Sequence, residues 1–71
     1  MKEDLPRLET YLRKVFKDNA LRLVMAPKKD DMAEVYIGED FLAPLYREEE
    51  DGEVSYQLQM VILDIDLDEN T

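Results

Sequence analysis

The hydrophobic period of this chain changes once, and that change restricts what it can fold into. Leu5, Leu8, Leu12 and Val15 recur at intervals of three and four, with Tyr11 and Phe16 beside them. At about 100° per residue these six fall within an arc of roughly 140°, the stripe of a helix packed on a core. From Ala20 the period is two. Leu21, Leu23 and Met25 alternate with Arg22 and Val24, and Ala33, Val35 and Ile37 alternate with Glu34 and Tyr36. A helical stripe followed by alternating segments predicts an α+β domain. One N-terminal helix is expected on a mainly antiparallel sheet of three or four strands, connected as an α-β-β-β-β meander.

Local signals refine the boundaries. Asp4 is expected as the helix N-cap, with Pro6 in the first turn, where its missing N–H does no harm. Lys14 and Lys17 suit the negative end of the helix dipole, and Asn19 can stop the helix in a left-handed conformation. Pro27 ends the first strand. Gly38 marks a hairpin between "MAEVYI" and "FLAPLYR". "EEEDG" reads as an acidic loop closed by Gly52, and a long fourth strand starts at Val54. Its apolar residues fall first on even numbers (Val54, Tyr56, Leu58, Met60, Ile62), then also on odd ones (Val61, Leu63, Ile65, Leu67). A strand cannot bury both sets on one face. A β-bulge near Met60–Ile62, a break into two strands, or burial on both faces would reconcile them. Pro44 would remove a hydrogen bond from a central strand. Either the strand bends there or it lies at an edge; the sequential meander is the simpler arrangement.

One helix covers one face of such a sheet. That face takes Leu21, Leu23, Val35, Ile37, Phe41, Leu45, Tyr56 and Leu58. The opposite face then shows Val24, Tyr36, Leu42 and Tyr46 among Arg22, Glu34, Gln57 and Gln59. A contiguous apolar patch on a small protein marks a contact site, and tyrosine suits interfaces because it is apolar yet can hydrogen-bond. Val24, Tyr36, Leu42 and Tyr46 are therefore the candidate interaction residues. The expected partner is another protein, a second copy of the chain being one candidate.

The residue types available exclude much else. In 71 residues there is no cysteine, histidine or tryptophan, and Ser55 is the only serine. Disulfides, thiolate metal sites and a histidine-activated nucleophile are ruled out. Gly38 and Gly52 are the only glycines, so no glycine-rich phosphate loop exists. The expectation is a non-enzymatic protein without a cofactor. It forms a single small domain over 1–71, with residues 68–71 frayed. No apolar run resembles a signal peptide or a membrane span, so the expected location is cytoplasmic.

Charge is unevenly spread. Residues 1–31 hold eight Lys/Arg and six Asp/Glu (+2); residues 32–71 hold one Arg and twelve Asp/Glu (−11), giving −9 in all. This balance disfavours nucleic acid and anionic membranes as partners. The basic helix face of Arg7, Arg13, Lys14 and Lys17 reads as solvation. Two alternatives use the acidic half. One is weak divalent-cation binding at the loop Glu48–Glu53 or at the C-terminus. The other is docking on a basic protein in the manner of a nucleic-acid mimic. Asp64, Asp66 and Asp68 imitate the start of a calcium loop, but the sixth position is Glu69 rather than glycine, and the twelfth lies beyond Thr71. Alternation accounts for these aspartates as the outer face of a strand.

The segments "APKKDDMAEVYIG" and "LQMVILDIDL", preceded by "LPRLETYLRKVF", resemble a family of small alphaproteobacterial proteins grouped as a domain of unknown function (family 3126). The resemblance covers nearly the whole chain and departs at Pro44, where a small or apolar residue is expected. It implies a compact bacterial domain and no particular activity or site residue.

Overall fold

The computed structural model describes residues 1–68. A single 3-10 turn, Lys2–Asp4, runs into helix α1, Leu5–Phe16. Four strands follow: β1 Leu21–Met25, β2 Met32–Ile37, β3 Asp40–Glu50 and β4 Glu53–Leu58. They form one antiparallel sheet in the order β1-β2-β3-β4, the expected meander. A short helix α2, Asp64–Asp68, ends the described chain. The frayed end expected at 68–71 falls on α2's last residue and on three residues outside the described ones.

The core lies between α1 and one sheet face. Leu12 meets Leu21, Leu23, Ala33, Val35 and Leu45, all buried. Leu5, Leu8, Ile37, Leu42, Tyr56 and Leu58 pack around them, half-buried. The apolar stripe of α1 is wider than its contact with the sheet. Tyr11, Val15 and Phe16, expected to face the core, stay 62%, 52% and 43% exposed.

Polar contacts fix the helix in place. The Tyr56 hydroxyl donates to Asp4 Oδ2 at 2.7 Å, which ties the helix start to β4. Glu9 accepts the Leu23 N–H at 3.1 Å, and Arg13 donates to the Leu21 carbonyl at 2.7 Å. These two groups lie on the free edge of β1, where an unpaired strand would otherwise invite another. The Glu9–Arg13 ion pair, 3.2 Å, therefore seals that edge. Asp4 consequently differs from its expected role. Its carboxylate makes no cap hydrogen bond and serves Tyr56 and Arg7 instead. The helix stops at Lys17, not Asn19: Lys17 adopts the left-handed conformation (φ 56°), and Asp18 N–H bonds back to the Arg13 carbonyl.

Pro44 sits in the central strand β3 without disturbing the order. Arg47 N–H bonds to Asp31 O on the β2 side, so in this alternating stretch Pro44 directs its backbone toward β4. Its carbonyl accepts the Gln59 N–H at 3.1 Å. The N–H that proline lacks would have completed this pair. β4 accordingly ends at Leu58, just before Gln59. This overturns the long fourth strand. Residues 59–63 have no regular structure, and among the described residues no second strand forms after a break near Met60–Ile62. Asp64 to Asp68 belong to a helical turn, not to the outer face of a strand. The alternation of this segment has no neighbouring strand to realise it.

The sheet's bulge lies elsewhere. Val35 pairs with Ala43, but Tyr36 pairs with Phe41, so Leu42 is the extra residue in β3. The acidic "loop" is also mostly strand: Glu48 to Glu50 pair with Ser55 to Glu53, and only Asp51 and Gly52 turn. Both have positive φ, 54° and 83°, as a two-residue hairpin turn requires.

The Asp4–Tyr56 bond makes stability pH-dependent at both ends. Hydrogen bonds from Tyr56 and Arg7 hold the Asp4 carboxyl below the ordinary aspartate value. Its contribution is complete above the unfolded-state pKa and disappears as pH falls through the lower folded value. The Tyr56 phenol is raised by its bond to Asp4, so its contribution is complete below about 10 and disappears as pH rises through the folded value. Denaturant titrations across pH should show both limbs for the native chain. The acid limb should shrink in Asp4→Asn and the alkaline limb in Tyr56→Phe. The double variant should lose less than the sum of the two, as coupled neighbours do.

Candidate functional site on the open sheet face

The sheet face away from α1 is built by alternation. Arg22 and Val24 of β1, Glu34 and Tyr36 of β2, and Pro44 and Tyr46 of β3 share it with Gln57 of β4. The structure thus brings together three of the four candidate residues: Val24, Tyr36 and Tyr46. Leu42 is the correction. As the bulged residue it changes face and packs against the core, half-buried. The same bulge moves Phe41 the other way. Phe41, expected inside, is paired beside Tyr36 and is 53% exposed.

The sequence held a weak sign of this exchange. Phe41 and Leu42 are adjacent apolar residues in a strand, so one of them must face outward. Period alone could not say which, because a bulge shifts the parity.

Tyr36 is the centre of the face. Phe41 meets its ring edge to face, with centroids 5.6 Å apart and planes at 74°. The Arg22 guanidinium lies over the ring, 4.6 Å from its centroid, while Arg22 Nε donates to the Gly38 carbonyl at 3.1 Å. That hydrogen bond holds the cation where the ring quadrupole attracts it. The Tyr36 hydroxyl donates to Glu34 Oε1 at 3.1 Å. The bond to Glu34, with partial burial, raises the phenol above the ordinary tyrosine value, and Arg22 opposes the rise. The result is an aromatic cluster braced by a cation–π contact and two hydrogen bonds.

This arrangement suits recognition by contact. Among the described residues, no buried side-chain polar atom lacks a hydrogen-bond partner. The acidic clusters do not converge. Strand alternation sends Glu48 and Glu49 to opposite faces of the β3–β4 hairpin. Among the described residues, no group of three or more acidic side chains is placed to hold a metal ion. Among the same residues, no helix is long and apolar enough to cross a membrane.

The sequence pattern of the family described as "Protein of unknown function (DUF3126)" matches residues 4–66. The chain belongs to that family. Neither a curated protein nor a solved structure matches it. The matched span runs from Asp4, which anchors α1, through the whole sheet and into α2.

Replacing Glu34 by Gln removes the charge that raises the Tyr36 phenol. In an NMR pH titration the Tyr36 ring signals should move at lower pH in Glu34→Gln than in the native chain. An unchanged midpoint would show that the bond to Glu34 does not govern this phenol.

Proposed function

We propose that the chain is a non-enzymatic protein-interaction module, acting in the cytoplasm, whose contact surface is the open sheet face. The observation that supports this reading is the Arg22–Tyr36–Phe41 cluster. It holds a half-exposed phenylalanine and a tyrosine in fixed orientation on a face that α1 leaves bare. Rigid aromatics lose little conformational entropy on binding, and Tyr and Arg recur among the residues that dominate interface energies. Val24 and Tyr46 extend the surface to either side.

Such a contact rests on buried apolar area and responds little to salt. The immobilised chain is therefore expected to retain a protein from a bacterial lysate through a 1 M salt wash, where the Debye length is about 3 Å. Tyr36→Ser combined with Phe41→Ser should abolish that retention. Glu48→Gln combined with Glu50→Gln, on the hairpin, should leave it intact. The opposite pattern, with release by salt and by the glutamate variant, would transfer the function to the acidic half.

A further inference from the structure

A run of uncovered apolar side chains follows the sheet. After β4, Met60, Val61, Ile62, Ile65 and Leu67 are 54%, 77%, 62%, 64% and 56% exposed. No Lys or Arg follows Arg47, while Asp64, Asp66 and Asp68 punctuate this segment, which is therefore apolar and purely acidic. The outward side of α1 is its complement. Tyr11 and Val15, one turn apart, are 62% and 52% exposed. Arg7, Thr10 and Lys14 border Tyr11 along a shallow groove. Lys14 has no acidic partner among the described residues.

An acidic apolar segment and a basic-bordered apolar helix side on the same chain complement each other, which points to a second copy as the occupant. A folded chain of 8.4 kDa is expected to expose about 4,600 Å². This one exposes 5744 Å², so the excess is about 1,100 Å² on that scaling. Two copies would bring together about 2,200 Å² of excess surface, enough for a standard interface of about 1,600 Å². The radius of gyration, 13.4 Å, likewise exceeds the roughly 11 Å expected of a compact domain of this length.

We propose that the chain forms a two-fold symmetric homodimer in which the C-terminal segment of each copy, residues 60–68, lies on the outward face of α1 in the other. Val61, Ile62 and Ile65 cover Tyr11 and Val15, and Asp64 meets Lys14. Each copy supplies one donor segment and one acceptor helix, the reciprocity that a closed two-fold contact demands. The contact leaves the open sheet face free, so it is separate from the function proposed above.

Sedimentation equilibrium of the full chain, with an isotope-filtered NMR experiment on a mixture of labelled and unlabelled copies, tests this. A dimer is expected, with intermolecular NOEs from the Ile65 methyls to the Tyr11 ring. Tyr11→Gln with Val15→Gln, or Ile62→Ser with Ile65→Ser, should each raise the dimer dissociation constant about a hundredfold. These side chains are already exposed, so circular dichroism should show folding intact. Tyr36→Ser with Phe41→Ser should leave the dimer unchanged. A monomer at every concentration overturns the proposal, as do Ile65–Tyr11 NOEs found only within one copy. A dimer abolished by Tyr36→Ser with Phe41→Ser also overturns it, and would instead assign self-association to the open sheet face.

Discussion

One helix must serve four strands. A helix is about 10 Å across, and four strands spaced about 4.8 Å apart present a wider floor than that. The rest of the structure follows from how this shortage is managed. α1 is anchored toward β4 by Tyr56 and toward β1 by the Leu21 and Leu23 backbone, so it crosses the sheet instead of lying over one strand. Beneath it, Leu21, Val35 and Leu45 are sealed. Beyond it, apolar residues remain in water on both the helix and the C-terminal segment.

The anchors are polar because the apolar contact alone is small. Leu12 is the only described α1 residue in the buried core, and burying one such side chain contributes only about 1.5–3 kcal/mol. Direction therefore comes from hydrogen bonds. Glu9 and Arg13 satisfy edge groups of β1 and also orient the helix, so a single ion pair protects the edge and sets the crossing. Asp4 is drawn from its capping role for a similar reason. Its bond to Tyr56 ties the start of the helix to the last strand, which a cap bond within the helix could not do.

The two proposed contact surfaces are those that the helix cannot cover. The open sheet face gains an oriented aromatic cluster because the bulge at Leu42 exchanges it with Phe41. The C-terminal segment is released from the sheet because Pro44 offers no N–H at the next position of the ladder. Both features are backbone irregularities in β3. A single strand thus shapes the open sheet face and frees the C-terminal segment from the sheet.

The sequence by itself determined the helix, the hairpin turn at Gly38 and the meander. Each is local, set by side-chain period or by the positive φ that a short turn requires. It also determined the open-face positions of Val24, Tyr36 and Tyr46, since alternation within an unbroken strand leaves no choice. Tertiary structure decided the rest. Whether Phe41 or Leu42 faces the core depends on register between two strands, because one inserted residue reverses parity without changing composition. The even and odd apolar residues after Val54 suit a strand, yet a strand needs a partner with a donor to give, and Pro44 has none. Asp64 to Asp68 turn into a helix because a helix closes its hydrogen bonds within itself, and no neighbouring strand is there to supply them.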